Sequence, residues 1–293
     1  MTTGQRVLAT RLFATRLFAI ALIAAAQLPM ATTGLAQDAT ARAAWQEGRR
    51  LALDGQPDSA LVLYTRAVAT ARSTGDRAIG SAAQRGLADI QLVYRGCVDD
   101  ARKILIEAVA DASEGDRSAA DALVRLLAAH GDVAGARSTL VKAYADIPSI
   151  GRKITRESVN FLLGMAIIER FSGHESAALS TLNSALQIAV RMHEGDVKDN
   201  SDHAVGTITA ENVWVMFDLA QLRLHAKSPG IASARDGARI MDLLAEAWPT
   251  VSDHGQAELP VSRLGDRLLI KAHGCIRSGT PCPAPKPPNP PKC

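Results

Sequence analysis

Aromatic side chains are scarce in this chain, at 4% of 293 residues, and no single charge sign dominates: 33 Lys and Arg stand against 30 Asp and Glu. Proteins that hold nucleic acid usually carry a basic surplus that displaces phosphate counterions, together with aromatic faces on which bases stack. Neither is present, which argues against a nucleic-acid partner. Long apolar runs are missing as well. The run Leu17–Ala26 is ten residues, against the ~20 that a membrane-spanning helix requires. Nor is there a Gly-x-Ser-x-Gly elbow, a Gly-rich phosphate loop ending in Lys-Ser or Lys-Thr, a dinucleotide fingerprint or a Cys-x-x-Cys pair. The signatures of common hydrolase, nucleotide and thiol-redox chemistry are therefore lacking. The chain reads as non-catalytic, with no cofactor and no metal centre.

What the N-terminus does have is the layout of a secretory signal. Arg6, Arg11 and Arg16 precede the apolar run, Gln27 and Pro29 follow it, and no acidic residue occurs before Asp38. Gly34-Leu35-Ala36 supplies small residues at the first and third positions of a cleavage site. Residues 1–36 are thus expected to be removed, leaving a periplasmic or secreted product with no membrane span. The three arginines leave with the signal, so the remainder carries 30 basic and 30 acidic side chains. Four cysteines suit an oxidising compartment. Cys275 and Cys282 flank a Ser-Gly-Thr-Pro turn and form the candidate disulfide. Cys97 reads first as a small residue packed at a turn, with a bond to Cys293 as the alternative.

One spacing recurs four times: Gly, four residues, Ala, three residues, a bulky Tyr or Leu, two residues, Ala. Gly55, Ala60, Tyr64 and Ala67 form the first copy, and Gly96, Ala101, Leu105 and Ala108 the second. Gly131, Ala136, Leu140 and Ala143 form the third, and Gly173, Ala178, Leu182 and Ala185 the fourth. Repetition at this period marks a stack of helix pairs. Gly ends one helix in a left-handed conformation, and acids such as Asp58, Asp99 and Asp132 favour the start of the next. The alanines let paired helices approach, and the bulky residue fills the gap between them. The expected pairs are 39–54 with 57–73, 76–94 with 98–113, 116–130 with 133–146, and 153–172 with 175–193. A fifth follows at 207–227 with 232–248, and a capping helix near 259–273.

These residues resemble the tetratricopeptide repeat (TPR) family. The fullest copy runs from Trp45-Gln46-Glu47-Gly48 to Ala67, while later copies have Asp89, Val124 and Ala166 in place of the first-helix Gly. The resemblance covers about 39–193 and extends in degenerate form to 248. It implies an all-α, TPR-like solenoid of about five antiparallel helix pairs. In domain terms, the repeats occupy 37–250, a C-terminal capping region 251–274, and a Cys/Pro-rich tail 275–293. It also implies a scaffold that binds a protein or peptide segment along the first helices. By register, the matching positions are Trp45, Arg49, Tyr94, Asp121, Arg125, Asn160, Arg170 and Phe171, with Ile90, Leu163 and Ile167 among them. The family's Lys and Asn clamp for a terminal carboxylate is not reproduced there.

Two other readings stay open. Met192–His203 gathers His193, Glu194, Asp196, Asp199, Asp202 and His203, which could serve a metal-dependent envelope enzyme, although the spacing fits neither a calcium loop nor His-Glu-x-x-His. Alternatively, the array could self-associate as a structural envelope protein. The last 13 residues hold seven prolines and cannot be helical; they read as an extended spacer.

Overall fold

The computed structural model describes residues 40–151, 153–197, 210–228, 231, 234–255, 269–270, 273–274, 279 and 293. Helix α1 occupies 40–53. After it come α2 (Pro57–Thr74), α3 (Arg77–Asp89), α4 (Val98–Asp111), α5 (Ser118–Ala129) and α6 (Val133–Ala143). The array continues with α7 (Arg156–Phe171), α8 (Glu175–Val197), α9 (Ala210–His225) and α10 (Ala234–Gly255). No strand occurs among the described residues. The described residues form an all-α stack of helix pairs.

The turn glycines expected from the repeat are present, but of the three expected helix-start acids only Asp132 caps; Asp58 and Asp99 lie in their first turns without a capping hydrogen bond. Gly55, Gly96, Gly131 and Gly173 all have φ between 71° and 86°, a backbone region that costs an L side chain energy. Asp132 then caps α6 by accepting from the Gly135 amide at 2.9 Å. Pro57 opens α2, where its missing N–H costs nothing.

The motif residues form the seam. Ala60, Ala67, Ala101, Ala108, Ala136, Ala178 and Ala185 are all fully buried, as are Tyr64 and Leu140; Leu105 and Leu182 are nearly so. Ala143 alone of the motif alanines is only half-buried. In the first and third copies the bulky residue seats on a glycine of the next first helix. A Cβ on Gly86 of α3 would lie 2.5 Å from the Tyr64 ring, and one on Gly164 of α7 would lie 2.7 Å from Leu140 Cδ1. Tyr64 also touches Gly48 of its own pair, where a Cβ would stand 3.1 Å from the ring.

Packing between pairs is asymmetric. Each second helix packs on the next first helix: α2 on α3, α4 on α5, α6 on α7 and α8 on α9. The first helices also pack on one another, α3 on α5, α5 on α7 and α7 on α9, whereas among the described residues successive second helices stand further apart and meet through exposed side chains such as Arg72 with Glu107 and Asp111. The first helices therefore form the close row and the second helices the spread one.

The helices differ from expectation most in the geometry at the end of α3 and in the lengths of α8 and α10. The α3 helix continues as a π-helical turn over Ile90–Arg95 before Gly96. The polar stretch after Met192 does not end α8, which runs to Val197; α10 likewise passes Trp248 and reaches Gly255. Charged residues at i and i+4 are compatible with helix wherever solvent can reach them, so polarity alone gave the wrong boundary. The expected capping helix is described only at 269–270 and 273–274, both helical. Ile270 is fully buried there, in the cluster that also holds Met241 and Leu244.

Candidate functional site

The close row of first helices carries a ladder of charge. On α3, Arg85 is 10% exposed and pairs with Asp116 at 3.3 Å. On α5, Asp121 accepts from the Tyr144 hydroxyl at 3.0 Å. Burial pushes the Asp121 carboxyl up to about 7, against the lowering effect of the Tyr144 hydrogen bond and of Arg125 and Arg85. Tyr144 itself is raised, first by burial and then by the carboxylate it faces. Its ring lies 5.3 Å from the Arg117 guanidinium and edge-on to Phe161.

One turn along α5, Arg125 reaches across to α9 and meets Asp218, with N···O distances of 3.4 and 3.5 Å. Asp218 is nearly enclosed, its side chain 8% exposed against 26% for Arg125. These residues border a cavity of about 210 Å³ between α5, α7 and α9. Its walls are mainly apolar, from Ile167, Leu182, Phe217 and Leu222, with Leu269 at its edge. Arg170 and Phe171, at the end of α7, complete the rim. The Arg170 guanidinium stands 5.7 Å from the Phe171 ring centroid. Burial lowers its pKa; nearby Asp218 opposes that effect, Arg125 adds to it, and Glu175 opposes it.

The residues singled out by register thus fall into three places. Arg125, Arg170 and Phe171 meet at this cavity, as does Ile167. Trp45, Arg49 and Tyr94 sit at the other end of the array. Trp45 and Tyr94 pack against the cluster around Tyr64, and the Tyr94 hydroxyl donates to the Ala52 carbonyl at 3.0 Å. Trp45 Nε1 and Arg49 Nη2 are enclosed without a hydrogen-bond partner among the described residues. Asp121 belongs to the Tyr144 contact between α5 and α6, and Asn160 is half-buried in the first turns of α7. Ile90 is fully enclosed core.

Asp218, Phe217 and Gln221 were not foreseen as site residues, because the fifth pair lacks the repeat spacing that set the register. A signal was available: Asp218 is an acid inside the apolar run Val215-Met216-Phe217-Asp218-Leu219-Ala220. A carboxylate in such a run is retained only if something pairs with it.

The Met192–His203 cluster lies largely outside the described residues, and no group of three or more metal-ligating side chains occurs among those described. No described helix is long and apolar enough to cross a membrane. Cys275 and Cys282 also lie outside the described residues. Cys97, enclosed at the start of α4, has its sulfur at bonding distance from that of Cys293, with Cα atoms 5.6 Å apart.

No family model matches this chain, and no curated protein does. Among solved structures, it is similar to a protein described as a kinesin light chain of nearly identical TPR-like repeats, from Podosopora anserina. The likeness covers 74% of this chain and 96% of that one, at 17% identity and a TM-score of 0.42.

Proposed function

We propose that this protein is an exported, non-catalytic scaffold that holds a segment of a partner protein along its row of first helices. The observation that supports this most is the open cavity between α5, α7 and α9, where apolar walls are rimmed by arginine. Repeat arrays commonly use one continuous face in this way. The mixture of apolar surface with a few directional polar groups suits side-chain recognition. Export rests on the N-terminal pattern of Arg6, Arg11, Arg16 and the run to Ala36. The approach of Cys97 to Cys293 favours the same oxidising compartment.

Photo-crosslinking in cells tests the binding face. A crosslinker at Gln221, on the cavity wall, should capture a partner that one at the exposed Val141 of α6 does not. Equal capture from both faces, or capture from Val141 alone, rejects this reading. A self-associating structural role is the second reading. Ile106 and Val141 are exposed at the same motif position on α4 and α6, a repeated apolar feature on the spread row. Light scattering on residues 37–293 separates the two, since the scaffold reading expects a monomer.

A further inference from the structure

The cavity rim has an imbalance that points to the chemistry of its occupant. Among the described residues, Arg125, Arg170 and Asp218 are the charged side chains that border it. Asp218 pairs with Arg125. The Arg170 guanidinium donates no hydrogen bond and forms no close ion pair among the described residues; it stands over the Phe171 ring and feels the Asp218 and Glu175 carboxylates only at longer range. Yet it is half-buried, and that burial penalises its charge. A partly desolvated guanidinium keeps five donors in a fork suited to a carboxylate. Next to it the cavity floor is apolar, formed by Leu182, Phe217 and Leu222. Its volume of about 210 Å³ suits one or two side chains rather than a folded domain.

We propose that the cavity receives an acidic side chain of an extended partner segment on Arg170, with a neighbouring apolar side chain of that segment on the Leu182, Phe217 and Leu222 floor. This rests on the scaffold reading and specifies which segments the scaffold selects. Among the described residues a basic side chain would face Arg170 and Arg125, with Asp218 already paired to Arg125 and Glu175 held by the Lys227 and Ser228 amides. A carboxylate instead completes an alternating set: Arg125 on Asp218, and Arg170 on the ligand. The Phe171 ring, 45% exposed, lies 5.7 Å from the guanidinium, within cation–π range.

The test is a selection from phage-displayed random dodecapeptides fused at both ends to spacers, so that no free terminal carboxylate is offered. Residues 37–293 and their Arg170→Gln variant serve as parallel baits, with thermal melting confirming that the variant is folded. The expected result is enrichment of Asp or Glu next to an apolar residue on the unaltered protein. That enrichment should vanish on Arg170→Gln, and a selected peptide should bind the variant about tenfold more weakly, the scale of a charge-assisted hydrogen bond. Replacing the peptide's acid with its amide should cost a similar factor on the unaltered protein and nothing on the variant.

Peptides selected without acidic enrichment, or with the same enrichment on the variant, overturn this inference while leaving the scaffold reading intact. Failure to select any peptide overturns the inference, and if Gln221 crosslinking is also silent it overturns the scaffold reading as well.

Discussion

Two glycine-to-alanine substitutions on a single helix should change stability in opposite directions. Gly80 and Gly86 both lie within α3 and both are buried. At Gly80 an added Cβ meets only the Ala71 methyl at 3.6 Å, an ordinary contact. Alanine there gains helix propensity, worth up to about 1 kcal/mol. At Gly86 the same methyl would lie 2.5, 2.6 and 2.7 Å from three atoms of the Tyr64 ring. The ring cannot retreat freely, because it is fully enclosed and its other edge rests on Gly48. Overpacking of this kind costs about 1–3 kcal/mol, occasionally more. Three ring atoms held on both sides place Gly86 toward the upper end, so the net destabilisation after the propensity gain is about 1–2 kcal/mol. Urea unfolding followed by circular dichroism reads both values. Thermal midpoints should fall by roughly 2–4 °C per kcal/mol for an array of this size. Repeat arrays can unfold in stages, so the comparison belongs to the transition that includes the first pairs. A second variant checks the cause: Tyr64→Leu in the Gly86→Ala background should recover part of the loss relative to Tyr64→Leu alone. If Gly86→Ala is as stable as Gly80→Ala, the reasoning that Tyr64 seats into Gly86 is refuted.

Further outcomes follow from the charged row and the termini. The Asp121 carboxyl is raised to about 7 in the folded state, so the folded protein holds a proton that the unfolded chain gives up from about pH 4. Stability should therefore fall as pH rises from about 4 to about 7 and level off above. Asp121→Asn should flatten that slope and be the more stable form at pH 8, which melts across pH will show. Arg125→Ala should cost about 1–3 kcal/mol, because it strips the ion pair from an enclosed Asp218. Arg72→Ala removes an exposed pair with Glu107 and should cost under about 1 kcal/mol. Peptide mapping without reductant should recover the Cys97 peptide joined to that of Cys293. Protein recovered from the envelope of an expressing bacterium should begin at Gln37.

Much of the fold was legible because it is local. Each turn glycine, each cap such as Asp132, and the alternation of Ala with Tyr or Leu act within about one helical turn, so their spacing survives in one dimension. The seat of Tyr64 on Gly86 was less legible. The expected first-helix glycine position holds Asp89 in the second copy, and the glycine that matters there is Gly86, three residues earlier. The site was legible only in its first-helix residues that share the repeat register, Arg125 and Arg170 with Phe171. Its α9 wall was not, since the fifth pair has lost that spacing.

The sequence by itself determined that the chain is a series of helix pairs, where most helices start and stop to within a few residues, and which small residues form the seam between them. Those properties depend on backbone conformation and on neighbours three or four positions away. Only the tertiary structure decided which charges meet. Arg125 and Asp218 are 93 residues apart and belong to different pairs; Arg170 borders the same cavity and forms a close ion pair with neither. That outcome depends on how closely α5, α7 and α9 pack and on each helix's rotation, and a single residue of register turns a side chain by about 100°. The spacing of the repeat placed arginines along one row, and the packing of three helices made one of them a charge with an open face.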